Sequence, residues 1–213
     1  MSALIDSYVK EFSIGDSGNY LTLEEIKSLL KYVLTIPITE YNDYSGKTHL
    51  VKEPKFIFYG RPVSQRRNVG FLVKDPEKIK GYKYSNQMMP SQKLPDFLLD
   101  FLNRYNDNYG TNHNSILINQ YMNGDHYISA HSDDEKDLVR SASVDSLTLC
   151  EKDAVRTITF KDKKTKRTVK KVVLYPGMIV RMLPGCQSRY THQINKQRNK
   201  GMRISFTMRE FRI

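Results

Sequence analysis

From residue 115 onward the sequence runs as seven short segments of strand character: "ILINQYM", "HYISAH", "SLTLC", "RTITF", "VKKVVLY", "GMIVRML" and "RISFTMREF". Strands this short and this closely spaced must bury a face against a second layer, which restricts the C-terminal half to a β-sandwich or barrel. Two helices precede them. "TLEE" has the form of a capping box, with Thr22 as cap and Glu25 three residues on. Ile26, Leu29, Leu30 and Val33 follow at helical spacing, and Pro37 stops the run. A second helix is expected from Pro95, with Phe97, Leu98, Phe101, Leu102 and Tyr105 facing inward, ending by Gly110. The class is therefore α+β. With 213 residues and no internal repeat or low-complexity linker, the chain fits one domain.

The last strand poses a specific question. In "MRISFTMR", residues 202–209, Met202, Ile204, Phe206 and Met208 share one face, and Arg203, Ser205, Thr207 and Arg209 share the other. One ordinary outcome is that the polar face meets water, as in many antiparallel sheets. The other is that the polar face lines a site.

Charge sets the class of partner. Thirty-four Lys plus Arg against 23 Asp plus Glu leave a formal charge of +11. A polyanion is a fitting partner, since each phosphate neutralised by Lys or Arg releases condensed counterions. The most basic run, "KDKKTKR" at 161–167, is either a solvated hairpin tip or a nucleic-acid contact. "SGKT" at 45–48 lacks the first glycine of a phosphate loop, because Tyr41 stands there. Two cysteines, Cys150 and Cys186, provide neither a disulfide framework nor a paired-thiol metal site, and packing is their expected role. No signal peptide or membrane-length apolar run is present, so an intracellular protein, nuclear or cytoplasmic, is expected.

Chemistry enters at "ISAHSDDE". His131 and Asp133 are two apart, so on a strand an imidazole and a carboxylate project together and can share one metal. A third ligand would complete the facial triad of two histidines and one carboxylate that binds non-haem iron(II) with open positions. Of five histidines, His49 and His113 fall in expected loops, and His126 is an odd number of residues from His131 and should face away. His192, in "YTHQI", is left as the third ligand; otherwise it is a lone, partly buried histidine. Iron(II) oxygenases of this type take 2-oxoglutarate, a dianion whose far carboxylate needs a cation. Arginine suits it, being planar, bidentate and always protonated. Arg203 and Arg209 lie six residues apart, roughly 20 Å along a strand. Their side chains must lean to a common point or serve different partners.

The series "ILINQY", "HSDD", "YTH" and "RISFTMR", in this order and spacing, resembles the AlkB family of iron(II)- and 2-oxoglutarate-dependent nucleic-acid dealkylases. The resemblance spans most of residues 55–213 and includes "YKYSN" at 82–86, near the family's nucleotide-recognition lid. It implies a double-stranded β-helix (jelly-roll) core over 116–213, with helices and lid over 1–115. It implies His131, Asp133 and His192 as iron ligands. Arg203 would pair with the distal carboxylate of 2-oxoglutarate, with Arg209, Asn119, Tyr121 and Ser205 also at the cosubstrate. Ser205 stands where many relatives have Asn, though a hydroxyl can still donate. Glu135 would touch the exocyclic nitrogen of a base, Tyr82 and Tyr84 would stack on or hydrogen-bond it, and Arg66 and Arg67 sit where a lid arginine is expected. The implied activity is oxidative removal of N-methyl groups from bases such as 1-methyladenine and 3-methylcytosine in DNA or RNA by a monomer using molecular oxygen. Two alternatives are a related oxygenase acting on protein and a catalytically silent nucleic-acid binder.

Overall fold

A computed structural model describes residues 2–42, 45–58, 60–84, 87–151 and 154–213. In chain order the N-terminal half contains α1 (Ser2–Ile5), β1 (Val9–Phe12), α2 (Leu23–Val33), β2 (Ile38–Thr39), β3 (Leu50–Val51), β4 (Lys55–Phe58) and β5 (Arg61–Ser64). It continues with β6 (Asn68–Val73), β7 (Gly81–Tyr84), β8 (Gln87–Pro90), β9 (Gln92–Lys93) and α3 (Asp96–Tyr109). The C-terminal half is β10 (Ser115–Tyr121), β11 (Ile128–His131), β12 (Val144–Cys150), β13 (Arg156–Asp162), β14 (Thr168–Leu174), β15 (Ile179–Met182), α4 (Cys186–Arg189), β16 (Tyr190–Ile194) and β17 (Arg203–Arg209).

The eight C-terminal strands divide between two sheets. β15, β12, β17 and β10 are neighbours in a major sheet, and β11, β16, β13 and β14 form a minor one. Following the chain, each connection crosses from one sheet to the other except the β13–β14 hairpin, and this crossing pattern is the double-stranded β-helix. The inner faces meet through Val144, Val180 and Met182 on one side and Ile158, Phe160, Val172 and Ile194 on the other. Helices α2 and α3 cover the outer face of the major sheet, packing Ile26, Leu29, Leu98 and Phe101 against Leu147, Leu149, Ile204 and Phe206.

Both helices start and stop where local chemistry directs. Thr22 caps α2 in a reciprocal box with Glu25, and α3 ends at Gly110, whose φ of 61° is a left-handed cap suited to glycine.

Because the major sheet is covered on both sides, β17 has no wet face. Ile204, Phe206 and Met208 enter the helix-side core. Arg203, Ser205, Thr207 and Arg209 are equally buried, pointing between the sheets. Water therefore does not explain the polar face.

Ahead of Ser115 the structure has more sheet than the expected helices and lid. β1 pairs with β15, and β2, β3, β6 and β9 extend the major sheet beyond β10. The hairpins β4–β5 and β7–β8 stand apart as small two-stranded units. Residues 163–167 form the tip between β13 and β14, where the Asp162 carboxylate accepts the amides of Lys164 and Thr165 at 3.0 and 2.7 Å. Cys150 and Cys186 are buried and form no disulfide. Among the described residues no helix is long and apolar enough to cross a membrane.

Candidate metal centre and cosubstrate cavity

The register of the minor sheet brings the two histidines together. His131 closes β11 and is the direct cross-strand partner of His192 in β16. Their ring centroids lie 4.3 Å apart. Two residues after His131, Asp133 turns into the same space, and one ligand atom from each of the three residues lies within 4.8 Å of the others. Ser129 fixes the tautomer of His131: its carbonyl can only accept, so His131 Nδ1 donates across 2.8 Å and Nε2 keeps its lone pair. Burial, and then the neighbouring His192, push His131 down to about 3. Burial, and then Arg209, do the same to His192. Both imidazoles are thus neutral at ordinary pH, the form that binds a metal.

Asp133 is held by two partners. Its backbone amide donates to Gln187 Oε1 at 3.1 Å, and Arg209 Nη2 donates to its Oδ1. Oδ2 is buried without a hydrogen bond and faces His192 Nε2 at 3.5 Å. A buried carboxylate oxygen without a donor is costly unless a cation meets it. This donor set, neutral imidazoles plus a carboxylate on one side, fits a divalent iron.

A small cavity of about 40 Å³ extends from the triad between the sheets. The β10–β17 register sets its polar wall: Asn119 opposes Ser205, and Tyr121 opposes Arg203. Arg203 Nη2 donates to Thr148 Oγ1 at 3.1 Å, while its Nε and Nη1 are buried and make no hydrogen bond. Two unsatisfied guanidinium donors on the wall of this cavity fit a carboxylate, so the residues present suit 2-oxoglutarate. The two arginines of β17 serve different partners on one cavity. Arg203 addresses Thr148 and the ring of Tyr121, whereas Arg209 faces Asp133, Glu135 at 3.5 Å, and the ring of Tyr82.

The remaining predicted residues divide. Tyr82 lines the cavity with its ring packed on Phe71, and burial raises its phenol. Burial likewise raises Glu135, whose Oε2 is buried without a hydrogen bond. Tyr84 lies in β7, but its side chain, like Ser85 and Asn86, lies outside the described residues. Arg66 stays on the surface, paired with Glu53 at 3.4 Å. Its neighbour Arg67 reaches the cavity instead, donating from Nε to Asn119 Oδ1 at 2.7 Å. Alternation alone does not choose between adjacent arginines that precede β6.

The other histidines sit elsewhere. His126 contacts Glu53 at 3.2 Å, away from the triad, and His113 is fully buried against Asp145 at 3.1 Å. His49 is buried beside β3, with Nδ1 2.9 Å from the Lys47 carbonyl.

A model of the 2OG-Fe(II) oxygenase superfamily matches residues 18–209. The chain belongs to this family and is an iron(II)- and 2-oxoglutarate-dependent dioxygenase that uses molecular oxygen. Among solved structures it is similar to that of OsALKBH1, at 12% identity and a TM-score of 0.55, over 95% of this chain and 97% of that one. It is also similar to an oxidoreductase of the 2OG-Fe(II) oxygenase family from Burkholderia pseudomallei, at 14% identity and a TM-score of 0.54, over 98% of this chain and 88% of that one. At such identities the likeness is one of fold. No curated protein matches the sequence.

Proposed function

We propose that this dioxygenase removes N-methyl groups oxidatively from bases of DNA or RNA. His131, Asp133 and His192 hold the iron, and Arg203 takes the distal carboxylate of 2-oxoglutarate, with Asn119, Tyr121, Ser205 and Arg209 around it. Iron and cosubstrate, when bound, supply the oxidising chemistry: one oxygen atom enters succinate as carbon dioxide leaves, and the other enters the methyl group. The hydroxymethyl product then releases formaldehyde and returns the base nitrogen unmethylated.

The observation that carries this reading is Glu135. Its carboxyl is buried beside Arg209, with one oxygen lacking any donor, two residues from Asp133. Burial disfavours its charged form, so a ligand that restores the charge gains from binding. A base methylated on a ring nitrogen is cationic and carries an exocyclic amine, and it supplies both charge and donor. Such a base also pairs poorly, which lowers the cost of flipping it out of a duplex. The formal charge of +11 supports a nucleic-acid substrate.

The test is mass spectrometry of DNA and RNA oligonucleotides carrying 1-methyladenine or 3-methylcytosine, incubated with iron(II), 2-oxoglutarate and ascorbate. Demethylated product is expected with an equal amount of formaldehyde, and with succinate in at least that amount. Turnover of 2-oxoglutarate with no mass change in any methylated oligonucleotide overturns the proposal.

A further inference from the structure

Arg156 opens β13 and is completely buried, yet its guanidinium meets no carboxylate among the described residues. Its Nη1 donates to the carbonyl of Asn123 at 3.1 Å, and its Nη2 to the carbonyls of His126, at 2.8 Å, and Asn195. Its Nε is buried and unbonded. These carbonyls come from two places that matter. Residues 123–126 lead into β11, which carries His131, and Asn195 follows β16, which carries His192. The two segments are in close contact at Gly124, where a Cβ would stand 1.9 Å from the Gln197 carbonyl oxygen.

A second relationship joins Arg156 to the cosubstrate cavity. Its Cζ lies 5.9 Å from the ring centroid of Tyr121, and Arg203 Cζ lies 5.5 Å from the same centroid. Neither arginine forms an ion pair with a described carboxylate. Buried charges of one sign, gathered with none opposite, are unfavourable until an anion arrives. Burial, and then Arg203, hold the Arg156 guanidinium below its ordinary pKa, although it stays protonated.

We propose that Arg156 is a positioning residue for the cosubstrate: its charge, acting across the ring of Tyr121, makes the Arg203 end of the cavity select a dianionic 2-oxo acid. Arg203 meets the distal carboxylate directly. Arg156 adds a second positive charge one aromatic ring further away, in surroundings where water does not screen it. A charge at that remove in a protein interior changes anion affinity by about tenfold.

The experiment is calorimetric titration of iron(II)-loaded protein, without oxygen, with 2-oxoglutarate and with 2-oxopentanoate. The latter keeps the metal-binding end and carries a methyl group in place of the distal carboxylate. Arg156→Met should weaken 2-oxoglutarate about tenfold and leave 2-oxopentanoate unchanged. Arg156→Lys, which keeps the charge but not the three-carbonyl clamp, should restore 2-oxoglutarate to near its wild-type affinity. Equal weakening of both acids by Arg156→Met would reduce the residue to a structural brace, and no weakening of either would remove it from the cosubstrate site. Should the melting curve show Arg156→Met unfolded, Arg156→Gln, which keeps donors for the carbonyls without the charge, gives the same comparison with the same two overturning results.

Discussion

His131 and His192 face each other directly across β11 and β16, with ring centroids 4.3 Å apart. Neither strand alone offers the donor set; the pairing register brings the two imidazoles together, and Asp133 adds the carboxylate. Replacing Asp133 by Ala should therefore abolish succinate formation and iron retention. Arg209 keeps Glu135 as a partner in that variant, so circular dichroism should still show a folded protein. Wild-type rates of succinate formation would sink the triad.

Arg203 offers a cleaner separation of cosubstrate from substrate. Removing one member of a buried, hydrogen-bonded charge pair costs about 2–5 kcal/mol, roughly thirtyfold or more in affinity. Arg203→Met should raise the Michaelis constant for 2-oxoglutarate by at least that factor. Binding of a methylated oligonucleotide to the cosubstrate-free protein should stay unchanged. A variant with the reverse pattern would place Arg203 at the substrate.

Much of this site was legible because period-two alternation predicts which side chains share a face. Asn119 with Tyr121, and Arg203 with Arg209, which line one cavity, follow from it; Asp133 lies beyond the end of β11 and joins His131 through a turn of the chain instead. What alternation misses is contact between elements without local periodicity. β1 is four residues long, and its partner, β15, lies far along the chain. Arg67 lies just before β6, where no strand phase distinguishes it from Arg66. Arg156 has the face expected of a strand residue, but its partners are backbone carbonyls from two turns, which no side-chain pattern encodes.

The 161–167 tip bears on nucleic-acid affinity. Lys164, Lys166 and Arg167 are exposed there. If they contact phosphates, each contact adds roughly 0.7–0.9 to the slope of log affinity against log salt concentration. Reversing Lys164 and Lys166 to Glu should lower that slope by about 2. An unchanged slope measured by fluorescence anisotropy would leave the tip as solvated charge.

Asp145 is a test of stability apart from chemistry. It is fully buried between Arg181 at 3.0 Å, His113 at 3.1 Å and the Tyr105 hydroxyl at 3.0 Å. Asp145→Ala strands these partners and should cost about 3–5 kcal/mol in chemical denaturation. Burial raises the Asp145 carboxyl, but the hydrogen bond from His113 and the charges of His113 and Arg181 outweigh it, so its pKa falls below the ordinary 3.8. The unfolded chain then binds the proton more readily. The group's contribution is complete above about pH 4 and is lost as pH falls through the lower folded value. Wild-type stability should fall with acid over that window, and the Asp145→Ala profile should be flatter there. Parallel profiles would mean that the pair does not set the acid limb.

Glu135 carries the proposed specificity, and its neighbours allow a discriminating test. Its carboxyl lies 3.5 Å from Arg209, which also holds Asp133, so outright removal risks disturbing the metal ligand. Glu135→Gln keeps the shape and an acceptor while removing the negative charge. A cationic base such as 3-methylcytosine should then lose about 1.5–3 kcal/mol of binding, the worth of a hydrogen bond to a charged group, or roughly ten- to a hundredfold in kcat/KM. A neutral methylated base such as 6-methyladenine should be affected far less, because no charge pairing is lost. Oxidation of 2-oxoglutarate without oligonucleotide reports whether the iron and cosubstrate remain in place, and it should continue at the wild-type rate. If Glu135→Gln lowers turnover of both bases and this background rate alike, Glu135 supports the Arg209–Asp133 pair, and the group that reads the base lies elsewhere on the cavity wall.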